Sequence, residues 1–289
     1  MKGKHLGIIY IILAGLGFSL MTFFVRMAGS VPTLQKMFFR NAFAAVIAFV
    51  MLLRSPEKFH IRKDSFLPLL FRCLCGTSGM ICNFYAIDHL SIADANILNK
   101  LSPFFAIIAS YFLLKEKANK VQWACVGAAF IGAVFVCKPS MQMDFVYALI
   151  GVLGGLGAGV AYAFVRKLGQ QGERSPVIVL CFSLFSCLVT LPFMLANYYS
   201  MSKMQWLYLI LAGICAAGGQ LFITAAYTKA PAKEISVFDY SQVIFAAVLG
   251  VIFLGEFPDW ISLIGYAIII GSAIFKWQHT LRTEKRTGQ

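Results

Sequence analysis

The chain has 289 residues, of which 60% are apolar and only 13% charged, against about 25% charged in an ordinary soluble domain. With a mean hydropathy of +0.78, this composition excludes a water-soluble globular protein and makes the chain a membrane protein. The net charge of +13 does not indicate a nucleic-acid partner, because the basic residues lie between apolar runs and do not cluster on one soluble face.

A helix needs roughly 20 predominantly apolar residues to cross the hydrocarbon layer. Ten such spans are predicted, at about residues 6–25, 34–53, 66–88, 92–114, 121–137, 145–165, 176–197, 204–228, 233–254 and 259–277, which leaves little chain for a soluble domain. Span 1 follows Lys2, Lys4 and His5 and has no clear small-residue cleavage site after it, so it is expected to be an uncleaved helix and not a signal peptide. Eighteen Lys and Arg fall on the side of both termini; four, Arg26, Lys36, Lys138 and Lys203, fall on the other. The positive-inside rule therefore predicts cytoplasmic termini and a basic cytoplasmic tail over 278–289. All eight cysteines lie in apolar spans with no C-x-x-C pair and no histidine set nearby. They read as small buried hydrophobes, so neither a metal nor a cofactor is expected.

The chain repeats itself at an offset of 140 residues. In "LAGLGFSLMTFFVRMAG" (13–29) and "LGGLGAGVAYAFVRKLG" (153–169), eight of seventeen positions are identical, including Gly17 with Gly157 and Arg26 with Arg166. The offset continues: Gly79 matches Gly219, "DANILNKLSP" from Asp94 overlays "EISVFDYSQV" from Glu234, and "FLLKE" ending at Glu116 overlays "IFLGE" ending at Glu256. Five spans per copy is an odd number, so the two copies, 6–137 and 145–277, enter the membrane from opposite faces, an inverted repeat of the kind many secondary transporters share.

Arg40 in "FFRNAFAAV", the block "YAIDHLSIADANILNKLSPFFAIIASYFLLKEK" and "FLGE" closing span 9 resemble EamA-type transporters of the drug/metabolite transporter superfamily over about residues 8–275. The resemblance implies an all-α polytopic protein of ten transmembrane helices arranged as two inverted five-helix repeats. It implies a central cavity lined mainly by spans 1, 3, 4, 6, 8 and 9 that opens alternately to either side. It also implies transport of a small polar metabolite, without fixing which one.

An ionisable residue inside a span costs roughly 2.5–3.5 kcal/mol on insertion scales, so those present usually face a cavity or a partner. Lys100 is the deepest, with Asn96, Asn99 and Pro103 beside it on one helix face. Its counterpart stripe in span 9 carries Ser236, Asp239, Tyr240 and Val243. Two readings of Lys100 and Asp239 stay open. They form a buried ion pair between the halves, or they bind an anionic or zwitterionic substrate, either residue then being able to carry a coupling proton. Gln220, Thr224 and Tyr227 share a face of span 8, and Asn83 and Tyr162 lie at comparable depth; interhelical hydrogen bonds and substrate contact are both open for them.

Arg40, in a span outside the cavity lining that the resemblance implies, is expected to make a structural pair or a gating contact. Arg72 is expected to snorkel to the cytoplasmic surface. His89 reads as a solvated loop residue, Asp94 and Glu234 as acidic residues at helix starts, and Glu116 and Glu256 as structural residues closing spans 4 and 9. The positive-inside rule alone accounts for Arg166 but counts against Arg26, for which an anion-attracting outer mouth is one reading.

The leading function is a secondary transporter, monomeric or homodimeric, since no G-x-x-x-x-G-K-[ST] motif occurs. A membrane-embedded transferase needs an interfacial carboxylate or histidine cluster, for which Asp88, His89 and Asp94 are a thin candidate. A purely structural membrane protein leaves Lys100 and Asp239 unexplained.

Overall fold

The structure, a computed structural model, describes residues 2–57, 59–90, 92–138, 144–255 and 257–287. Glu256, and the side chains of Asp88 and Asp94, lie outside the described residues. Ten helices long and apolar enough to cross a membrane are present, and no strand occurs among the described residues. Spans 1 to 3 are Lys2–Met27, Thr33–Leu53 and Phe66–His89; spans 5 to 8 are Lys120–Cys137, Phe145–Gln170, Ser175–Ala196 and Lys203–Lys229; span 10 is Trp260–Thr287. Span 10 thus continues as helix through much of the stretch expected to be a tail.

Local chemistry sets several helix ends. Span 5 starts in a capping box, where the Asn119 side chain accepts from the Gln122 backbone N–H and the Gln122 side chain accepts from that of Asn119, both at 2.8 Å. The residue matching Asn119 in the second repeat, Asp259, caps span 10 by accepting from the Ser262 N–H at 3.0 Å. Asp259 also accepts a hydrogen bond from Lys138. That ammonium, helped by the Ser262 contacts, holds its carboxyl well below the usual range, at about 2.

Spans 4 and 9 are both broken. Span 4 runs as Ile92–Asn99 and Ser102–Leu114; span 9 runs as Ala232–Ile235, a 3₁₀ stretch Ser236–Tyr240, Ser241–Leu249 and a wider turn over Gly250–Leu254. Pro103 has no N–H to offer the preceding turn, which favours the first break. The matching residues Lys115 and Gly255 end the two spans in the left-handed conformation, at φ 58 and φ 66.

Glycines set how the two copies interlock. A Cβ at Gly17 would lie 2.9 Å from the Gly219 backbone nitrogen, and one at Gly157 would lie 2.6 Å from the Gly79 Cα. Since Gly17 matches Gly157 and Gly79 matches Gly219, the same crossing is made twice: span 1 on span 8, and span 6 on span 3. These two helix pairs form the most extensive packing in the molecule. Spans 2 and 7 form a third pair, through Ala44, Ala48, Leu52, Val177 and Leu180.

Candidate functional site

A cavity of about 500 Å³ enters from the end of the bundle opposite the two termini, between Arg26, Gly29, Thr33, Lys36 and Ile87. Its volume falls within the range of small-molecule sites, roughly 300–1,000 Å³. It runs inward past the two broken spans to Arg72, Phe182 and Gln220.

The breaks bring Lys100 and Asp239 together. Lys100 Nζ donates to Asp239 Oδ2 at 3.2 Å and to Gln242 Oε1 at 2.7 Å. Each side chain of the pair keeps 12% of its surface exposed, and both line the cavity. The pair is an ion pair at the junction of the repeats that is also reachable from the cavity. The backbone groups freed by the breaks find partners: Tyr240 Oη donates to the Lys100 carbonyl at 2.9 Å, and Ser19 Oγ to the Gln242 carbonyl at 2.8 Å. Irregular backbone at membrane depth is tolerated where it is satisfied in this way and lines a cavity.

Asn96, Asn99, Asn83, Tyr162 and Gln220 line the cavity. Asn83 Oδ1 and Gln220 Nε2 are buried and have no hydrogen-bond partner among the described residues. Two expected contacts are corrected. Thr224 is 1% exposed and Tyr240 is 0% exposed, and neither is part of the lining. Tyr240 instead holds the break in span 4, and Tyr227 is buried behind Tyr162, the rings stacked at 4.7 Å. Gln242, absent from the sequence-based candidates, joins them through its contact with Lys100.

Spans 2 and 7 also contribute to the lining, contrary to expectation. Arg40 faces the cavity, with Nη1 3.3 Å from Met80 Sδ and its guanidinium 5.7 Å from the Phe18 ring centre. Arg72 does not snorkel. It is 2% exposed, and its guanidinium lies 3.9 Å over the ring of Phe182 in span 7. Its side chain folds towards Gly76, one turn deeper than the surface it was expected to reach; a Cβ at Gly76 would be 2.0 Å from Arg72 Nη1. Arg26, at the cavity mouth, is exposed and makes contacts of its own.

The end carrying the termini is crossed by ion pairs. Arg166 Nε donates to Glu116 Oε1 at 3.0 Å and Arg166 Nη1 to the Thr228 carbonyl at 3.2 Å; Gln170 Nε2 also donates to Glu116, at 3.1 Å. Arg166 is thus more than a topology signal, because it ties the ends of spans 4, 6 and 8. Lys276, which is 2% exposed, donates to Glu234 at 2.6 Å, and Gln122 donates to the same carboxylate at 2.8 Å. Glu234 does lie in a first helical turn, but its carboxylate joins spans 5, 9 and 10. His89 ends span 3 and is exposed, stacked between Tyr85 and Tyr147. No group of three or more potential metal ligands occurs among the described residues.

The chain is 28% identical over 271 residues to the pseudopaline exporter CntI of Pseudomonas aeruginosa, covering 93% of this chain and 94% of that protein. It is 25% identical to the human solute carrier family 35 member G1, covering 94% and 80% of the two chains. It is 27% identical to a riboflavin transporter of Brucella anthropi, covering 85% and 88%. A solved crystal structure with 15% sequence identity shares the fold, with a TM-score of 0.81 over 96% of this chain and 98% of the other. A model of the EamA-like transporter family matches residues 5–137 and again residues 147–276. With ten spans, an inverted duplication and an internal cavity at the junction of the copies, the chain belongs to the EamA-like transporter family and is a multi-pass membrane transporter.

Proposed function

We propose that the protein is a secondary transporter that moves a small polar metabolite through this cavity by alternating access, with both termini in the cytoplasm. The observation that carries the proposal is the position of the Lys100–Asp239 pair on two broken spans, in the wall of a cavity that enters from the end opposite the termini. Broken spans at the midplane, meeting where inverted repeats join, are where secondary transporters place their substrate sites. The Arg166–Glu116 and Lys276–Glu234 bridges close the opposite side, and the inverted repeat supplies a symmetry-related state in which the closed and open ends exchange. Relatives named for exporting pseudopaline and transporting riboflavin support a polar metabolite as cargo.

The test is solute flux in vesicles carrying the purified protein. Lys100→Met removes one partner of a largely buried charge pair, a change that costs about 3–5 kcal/mol where such pairs are buried within a protein. It is expected to abolish flux while leaving the protein inserted. Undiminished flux in the Lys100→Met protein overturns the central role of this pair.

A further inference from the structure

The cavity lining carries five basic side chains, those of Arg26, Lys36, Arg40, Arg72 and Lys100, and one carboxylate, Asp239, which is already paired with Lys100. Arg40 and Arg72 are the unexplained members of this set. Neither has a carboxylate within ion-pair distance among the described residues. Their neighbours are soft and neutral: a thioether and a ring for Arg40, a ring for Arg72, whose Nε has no hydrogen-bond partner. A thioether is a weak acceptor, and a ring face attracts a cation without neutralising it. A buried charge such as Arg72 is ordinarily paired, and in the membrane interior the need is greater for it and for the half-buried Arg40.

The fold seats both groups in one cavity wall. Gly76 leaves the space that the Arg72 guanidinium occupies and Phe182 supports it from span 7, while Arg40 rests against Met80 and Phe18 in the same lining. Fixed planar guanidinium groups suit the forked geometry of a carboxylate or phosphate, which a lysine does not match.

We infer that Arg40 and Arg72 form an anion subsite, distinct from the Lys100–Asp239 pair, which binds a carboxylate or phosphate group of the transported molecule and makes the cargo a small organic anion. The inference rests on the transporter reading above and narrows its substrate class. Phe18, Phe84 and Phe182 beside the subsite provide apolar surface for the carbon skeleton of that anion. The two arginines then act as specificity determinants.

The test uses the purified full-length protein and a thermal-shift series at constant ionic strength, since a ligand of the folded state raises apparent stability. The probes are succinate, citrate, glutamate and inorganic phosphate, with glucose and putrescine as neutral and cationic controls and potassium chloride as the simple-anion control. At least one organic or phosphate anion is expected to stabilise the parent beyond chloride. Arg40→Gln and Arg72→Gln are each expected to weaken that response at least tenfold in apparent affinity. If a glutamine variant does not fold, Arg40→Lys and Arg72→Lys keep the charge, lose the fork, and are expected to show an intermediate loss. Stabilisation by chloride alone, a protein that no anion stabilises, or glutamine variants that respond like the parent each overturn the subsite. Glucose or putrescine flux that needs Lys100 but is indifferent to Arg40 and Arg72 overturns the anion inference and leaves the transport site standing. Flux indifferent to Lys100 overturns the transport site itself.

Discussion

Gly76 is a single residue on which the position of a buried charge depends. A methyl group there would lie 2.0 Å from Arg72 Nη1 and 2.9 Å from the Phe182 ring. Because the nearer obstacle is the tip of a flexible side chain, Gly76→Ala is expected to leave the fold intact and expel the guanidinium from its seat. Anion-induced stabilisation should fall about as far as in Arg72→Gln although no charge has been removed, and a parent-like thermal-shift response in Gly76→Ala would show the seat to be unimportant. This small residue four positions after an in-span arginine was the available signal that Arg72 turns inward. It decides nothing without Phe182, which comes from a span more than a hundred residues away. Lys100 and Asp239 were legible because an ion in an apolar run demands an explanation wherever it points. Thr224, Tyr240 and Arg40 were not, because depth in the membrane follows from counting residues, whereas the direction a helix face takes is set by its packing partners. Thr224 and Tyr240 turned out to lie behind the cavity wall, and Arg40 on it.

The ten spans could be read from hydropathy and the duplication from the 140-residue offset, but not every limit, since span 10 runs on as helix well past residue 277. The breaks in spans 4 and 9 were less visible: Pro103 hints at one, but nothing in "EISVFDYSQV" announces 3₁₀ geometry, where Lys100 and Ser19 donate to the Asp239 and Gln242 carbonyls of span 9, while Tyr240 donates to the Lys100 carbonyl at the break in span 4. The glycine crossings carry a sharper expectation. A Cβ at Gly79 would meet the Ala158 nitrogen at 2.8 Å, backbone against backbone, with no side chain able to move aside. Gly79→Leu is therefore expected to force spans 3 and 6 apart and to lower stability by about 1–3 kcal/mol, the usual cost of overpacking. Gly127→Ala, where a Cβ meets nothing within 4 Å, is expected to be neutral or slightly stabilising. Unfolding of both variants in detergent checks this, and equal midpoints would remove the close-contact account.

For the whole molecule, the open and closed ends make an expectation about access. In a cysteine-free background, a membrane-impermeant thiol reagent added to intact cells should label Phe257→Cys, and should label His60→Cys only after permeabilisation. The reverse pattern overturns the proposed orientation. A reporter at Ile223, on the cavity wall, should be reached from outside alone. Glu116→Gln weakens the bridge to Arg166, a charge-assisted contact worth about 1.5–3 kcal/mol. Labelling of that reporter from the cytoplasmic side should then rise by about tenfold or more, and an unchanged rate would show that the bridge does not hold this end shut. The interlocked crossings also bear on how the protein is made. The glycine face of span 1 docks on Gly219, which lies 202 residues further along the chain. At roughly 5–20 residues per second of synthesis, span 1 waits about 10–40 s for its partner, with lipid as its interim neighbour. Neither repeat can therefore mature in advance of the other, and the half-made protein is a set of independently inserted helices that assembles only when its second copy arrives.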